Sequence, residues 1–120
     1  MSAVDALPRE EMLRSSRGLR GSPALPLSAW RGASGRRYVV GVHSAQSFEL
    51  DEAEEDVCFA VERGTNGIAR LISVATSMGL GDAERWLRKV RKAGATEIHV
   101  HRLCDNAAER AAVAADLSEG

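Results

Sequence analysis

The sequence predicts an α+β domain: a small, three- to four-stranded mixed or antiparallel sheet in the order β, β-hairpin, α, β, α, with helices packed on it. Three observations predict it. Apolar residues alternate along Arg37–Ser44 and again along Thr96–Leu103. An Asn66-Gly67 turn separates two apolar runs, the signature of a hairpin. Two further segments, near 82–93 and 106–117, carry helical spacing with start and stop signals.

Residues 1–30 read as an Arg-rich, flexible leader, and 31–120 as the single folded domain. Pro8 would open a short helix through Arg17, closed by Gly18, after which Gly21, Pro23 and Pro26 keep the chain extended. Trp30 is the first residue expected against the core, and Arg31–Gly35 is a loop. The first strand, Arg37–Ser44, sets Tyr38, Val40 and Val42 on one face and Val39, Gly41 and His43 on the other. An acidic stretch, Glu49–Asp56, follows, anchored by Phe48 and Leu50. The hairpin strands are Val57–Glu62 and Ile68–Ala75. Asp82 is placed to cap a helix to about Ala93, with Gly94 beyond its end. Ala83, Trp86, Leu87 and Val90 form its apolar face, and Arg85, Arg88, Lys89 and Lys92 its basic one. Asn106, with Glu109 three residues later, resembles a capping box opening the last helix.

Composition narrows the function. Hydrophobic residues are 44% of the chain and aromatics 4%, so a small core must rest on Val, Ile, Leu and Ala. A net charge of −1 excludes a protein that coats nucleic acid by bulk charge. The charge is uneven: residues 1–37 hold seven Arg against three acids, and Glu49–Asp56 holds six acids and no base. No apolar run approaches bilayer-spanning length, and the N-terminus lacks the apolar core of a signal peptide. Without a CxxC or secretory cysteine framework, Cys58 and Cys104 are expected as reduced thiols in the cytoplasm.

Three constellations carry candidate chemistry. Glu97, His99 and His101 share one face of a strand, a pattern that would hold zinc or iron if His43 or Asp105 added a ligand. The bland alternative is a polar, solvent-facing side opposite a core-facing Ile98 and Val100. Cys104, between a strand and a helix N-terminus, would pair with His101 or His43 as a nucleophile, but the sequence identifies no third group to orient the imidazole. Arg85, Arg88, Lys89 and Lys92 would contact phosphates in a salt-dependent way; the alternative is an ordinary solvated helix face.

The order of parts resembles that of GIY-YIG nucleases. The residues carrying the resemblance are Lys92–Val100, Glu109-Arg110 and Ala115-Asp116-Leu117. Tyr38 resembles the tyrosine of the first motif, although Gly41-Val42-His43 aligns there as well. Arg85 resembles the helix arginine. Ser73-Val74-Ala75 falls where the second motif would place its tyrosine, and Ala114 falls where the last helix would supply a metal-binding glutamate. Alanine binds no metal, and Glu109, five positions earlier, lies about 140° round the helix. The resemblance therefore implies a degenerate nuclease-like domain, with Tyr38 and Arg85 the only catalytic candidates left.

The expected function is non-catalytic binding of nucleic acid or a protein partner, with Arg85, Arg88, Lys89 and Lys92 as the nucleic-acid contacts. No cofactor and no membrane are expected. The alternatives are a homodimeric interaction protein joined at a sheet edge, and a metal or thiol enzyme centred on His99, His101 and Cys104.

Overall fold

The computed structural model describes residues 8–11, 27–48, 56–76, 78–102, 104 and 106–118. Among them are six strands: β1 (Arg9–Glu10), β2 (Leu27–Arg31), β3 (Arg37–Ser44), β4 (Val57–Arg63), β5 (Ala69–Thr76) and β6 (Glu97–His101). Helix α1 (Leu80–Lys92) lies between β5 and β6, and α2 (Ala107–Ser118) follows β6.

The expected three- to four-stranded sheet is overturned. The strands form one six-stranded sheet in the order β1-β2-β3-β6-β4-β5, with every neighbouring pair antiparallel. It curls into a half-barrel, and β1, at one edge, comes up against β5 at the other. The additional strands come from residues read as leader and loop. β2 pairs with β3 from Leu27↔Gly41 to Arg31↔Arg37, and β1 pairs with β2 through Arg9↔Arg31 and Glu10↔Trp30. Residues 9 and 10 are therefore strand where a helix was expected; the rest of that expected helix, and Glu49–Glu55, lie outside the described residues.

The sheet is buried on both faces, which explains why Val57, Cys58, Phe59, Ala60 and Val61 are all buried rather than alternating. Cys58, Ala60, Ile98 and Val100 point to one side, where Ala83, Leu87 and Val90 of α1 cover them. Trp30, Tyr38, Val40, Val57, Phe59 and Val61 point to the other, under Val113 and Leu117 of α2. Each helix thus has its own core, and β6 lies between the two.

Local chemistry sets the ends. The β4–β5 turn closes through Gly67 at φ 84° and an Asn66 side chain that accepts from the Ile68 amide at 3.0 Å. Ile72 is an extra residue, since Ala60 pairs with Ser73 and Val61 with Leu71. Helix α1 begins earlier than its sequence suggests. Gly79 is the N-cap, without a side-chain cap, and Asp82 lies in the first turn. Beyond its end Gly94 takes φ 105°, as expected of a glycine there. Asn106 does cap α2, accepting from the Glu109 amide at 2.9 Å. No helix among the described residues is long and apolar enough to cross a membrane.

Candidate functional site

The α2 side of the half-barrel holds a polar network at its core. The Trp30 indole N–H donates to His99 Nδ1 at 2.9 Å. Indole nitrogen only donates, so Nδ1 carries the lone pair and the imidazole proton sits on Nε2. From there it reaches Glu97 Oε1 at 2.8 Å. Arg63 grips Glu97 through Nε and Nη2, grips Glu10 through Nη1 and Nη2, and gives its fifth N–H to the Gly67 carbonyl. All five guanidinium protons are thereby used. Glu10 also accepts from Ser28 Oγ at 2.8 Å.

The electrostatics follow from these contacts. The hydrogen bond from His99, then those from Arg63, outweigh burial and hold Glu97 down at about 2. Burial acts to raise Glu10, but the hydrogen bonds from Arg63 and Ser28 win and lower it. Arg63 is raised by its two carboxylate partners. Because every group has a partner, the network is a structural tie joining β1, β2, β4 and β6, and it presents no open position for a substrate.

The β6 histidines do share a face with Glu97, but that face is not solvent. His99 is fully buried and His101 is 6% exposed, because α2 and Trp30 roof them. His43 projects from the opposite face of β3, where its ring meets Phe48. It is therefore not placed to join them, and Asp105 lies outside the described residues. No group of three or more metal-ligating side chains exists among the described residues.

Tyr38, Ser73 and Arg85 do not converge. Tyr38 lies on the α2 face, its hydroxyl donating to Asp116 Oδ2 at 2.8 Å. Ser73 Oγ accepts from Trp86 of α1 on the other face, at 3.0 Å. Arg85 is exposed on α1 and pairs with Asp82. Burial and the bond to Asp116 together push the Tyr38 phenol up to about 12, which leaves it a proton holder at neutral pH. Asp116 also accepts from the Ser34 amide and hydroxyl, both at 2.7 Å, so it clamps α2 to the β2–β3 turn.

On α1, Arg88, Lys89 and Lys92 are exposed and make no ion pair among the described residues, while Arg91 turns back to the Ala45 carbonyl at 2.8 Å. The basic stripe is thus shorter than its spacing suggests.

Of the clefts formed by the described residues, two lie away from α1. One, of about 630 Å³, runs along β5 between Pro8 and the end of α2, and is lined chiefly by Ile68, Leu71, Ile72, Val74 and Leu117. Among the described residues of its wall Arg70 alone is charged, and it already pairs with Glu62. The other, of about 270 Å³, lies between β3, the end of β6 and α2, and gathers Arg36, Arg37, Tyr38, His101, Cys104 and Glu109. There His101 Nδ1 donates to the Val39 carbonyl at 2.8 Å. That carbonyl is the orienting group the sequence could not supply, because it is contributed by a strand 62 residues away. Nothing in the sequence singles out the β5 cleft, since its walls join three distant segments. No family model matches the chain, and neither the curated proteins nor the solved structures contain a match to it.

Proposed function

We propose that the chain is a non-catalytic binding domain that accepts an extended segment of a protein partner along β5. The observation that carries this is the state of that strand. Among the described residues, β5 pairs with β4 alone, and its free edge opens onto the 630 Å³ apolar cleft. An eight-residue strand with one edge unpaired offers a row of backbone donors and acceptors, and the cleft beside it receives alternate side chains. The wall chemistry selects an apolar, β-branched strand over a phosphate backbone, since the one cation among its described residues is already paired. The compartment is taken to be the cytoplasm, on two cysteines not joined by a disulfide.

Hydrogen–deuterium exchange tests the reading. Outward amides of Ala69–Thr76 should exchange rapidly in the isolated chain. An eight-residue peptide of alternating valine and threonine should slow them, and its backbone N-methylated counterpart should not. Equal exchange with and without the peptide defeats the proposal. Sedimentation over a concentration range shows whether the occupant is a second copy of this chain. A second reading, nucleic-acid binding, is favoured by Arg88, Lys89 and Lys92, which make no ion pair among the described residues. It requires salt-sensitive binding of DNA or RNA that is lost when all three become alanine.

A further inference from the structure

Arginines stand in a row across the first three strands. The register sets Arg9 directly opposite Arg31, and Arg31 directly opposite Arg37, so all three side chains leave the same face of the sheet. That face is the reverse of the one carrying Trp30 and Tyr38, their neighbours in sequence. Like charges directly opposite destabilise a sheet, and here two such pairs adjoin. Among the described residues a single carboxylate, Glu11, serves all three. Arg31 holds it with two hydrogen bonds, at 2.8 and 2.9 Å. Arg9 and Arg37, with side chains 54% and 47% exposed, reach it only at 3.4 and 3.9 Å. The hydrogen bond from Arg31, aided by the charges of all three, holds Glu11 below the usual carboxylate range. The other acid of β1, Glu10, is taken by Arg63. Cations therefore exceed anions in the row. The same face also carries apolar side chains. Of the three large hydrophobics exposed among the described residues, Val39 and Leu27 lie on it, two positions beyond Arg37 and four before Arg31.

We infer that this face of β1, β2 and β3 binds an acidic peptide segment, with carboxylates on Arg9 and Arg37 and an adjoining aliphatic side chain on Val39 and Leu27. The site goes beyond the β5 reading, since none of these residues lines that cleft. Carboxylate is the anion the row already takes, in the form of Glu11, and a guanidinium matches it with two parallel N–H donors. Among the described residues the side-chain forks of Arg9 and Arg37 are engaged only by their long contacts to Glu11. Adjacent strands lie about 4.8 Å apart, which sets the two outer arginines about 10 Å apart at the backbone. Alternate residues of an extended peptide are about 7 Å apart, and the flexible arginine stems close the difference. Nucleic acid fits this face less well. A single strand needs aromatic platforms, whereas the exposed neighbours here are aliphatic and the nearest aromatics, Trp30 and Tyr38, are buried on the reverse face.

The probe is a fluorescein-labelled peptide of four alternating aspartates and glutamates, then glycine and two leucines, titrated with the full chain and followed by anisotropy. Saturable binding is expected, weakening as salt rises from about 50 to about 300 mM. Arg9→Gln with Arg37→Gln should weaken it about tenfold, and Val39→Ser about threefold. Replacing Arg88, Lys89 and Lys92 together by alanine should leave it unchanged. In the unsubstituted chain, where folding is not in question, the Nε–H NMR signals of Arg9 and Arg37 should shift on adding the peptide, and that of Arg88 should not. Exchange of the Ala69–Thr76 amides should stay as it was, which separates this site from the β5 cleft. No binding at low salt, equal binding of a peptide with asparagine and glutamine in place of its acids, equal binding by the double glutamine variant, or slowed exchange along β5 would each overturn the inference. So would an oligonucleotide of equal charge that binds more tightly than the peptide and loses that advantage in the double variant, which would assign the row to phosphate.

Discussion

Replacing Arg63 by methionine keeps much of the side chain's apolar stem and removes five donors, four from two carboxylates and one from the Gly67 carbonyl. Glu10 and Glu97 have side chains 6% and 21% exposed, so water restores little of what they lose. Breaking a buried ion pair by deleting one partner costs about 3–5 kcal/mol, and partial exposure places this case near about 3. A second route gives the same order. Glu97 falls from 4.5 to about 2, worth about 3 kcal/mol, although His99 supplies the largest share of that shift. The sign with pH is definite. Glu97 has a depressed folded value, so its contribution is complete above about 4.5 and disappears as pH falls through about 2. The methionine variant lacks the share of that contribution that Arg63 supplies, and its stranded carboxylates are relieved when protonated. The stability gap between the two proteins should therefore shrink from about 3 kcal/mol at pH 7 to roughly half of that at pH 3. Urea unfolding followed by tryptophan fluorescence at both pH values measures it, with buried Trp30 as the reporter. A gap that stays constant with pH, or one below about 1 kcal/mol at pH 7, refutes the account of Arg63 as the tie between β1, β4 and β6.

Trp30→Phe should cost about 1–3 kcal/mol by leaving His99 Nδ1 buried without its donor, and nitrogen NMR of the imidazole should show the loss of a fixed Nε2–H tautomer. Gly32→Ala should destabilise the fold and loosen α2, because a Cβ there would overlap the Asp116 carboxylate; a melting temperature within a degree of the parent contradicts this. Tyr38 should titrate in ultraviolet difference spectra only at about pH 12, and Asp116→Asn should lower that midpoint, because it removes the carboxylate facing the phenol. Asn106→Ala should cost about 1 kcal/mol in chemical denaturation, as loss of an N-cap does.

Much of the fold can be read from local pattern. Arg37–Ser44 forms β3 with the predicted limits, the Asn66-Gly67 hairpin lies within a residue of its predicted strands, and Asn106 starts α2. Trp30 is in the core, as predicted. The missed parts depend on distant partners. β1 is Arg9-Glu10, with no apolar residue to signal a strand, and Arg63 holds it from far along the chain. β2 is five residues long, and its apolar and polar positions make sense only once β3 lies beside it. His99 looked like surface because its alternation with Ile98 and Val100 describes a sheet with one buried face. The second core under α2 gives this sheet two. At the candidate sites the sequence supplied His101 and Cys104 as residue types, but the Val39 carbonyl and the β5 cleft arise from tertiary placement.

The position of β6 governs the order in which the protein can assemble. β2 and β3 are joined by five residues, as are β4 and β5, so each pair can form as soon as it leaves the ribosome. Among the described residues, the only strand pairing that links the two hairpins runs through the strand that comes after both, which binds β3 through Gly41↔Val100 and β4 through Cys58↔Val100. Until Glu97–His101 has been synthesised, the nascent chain consists of two separate hairpins with apolar faces uncovered. Contacts spanning that much sequence form slowly, and half-built sheets of this kind aggregate. Messages truncated before codon 101 should thus yield insoluble product, whereas a separately added peptide covering residues 95–118 should rescue it.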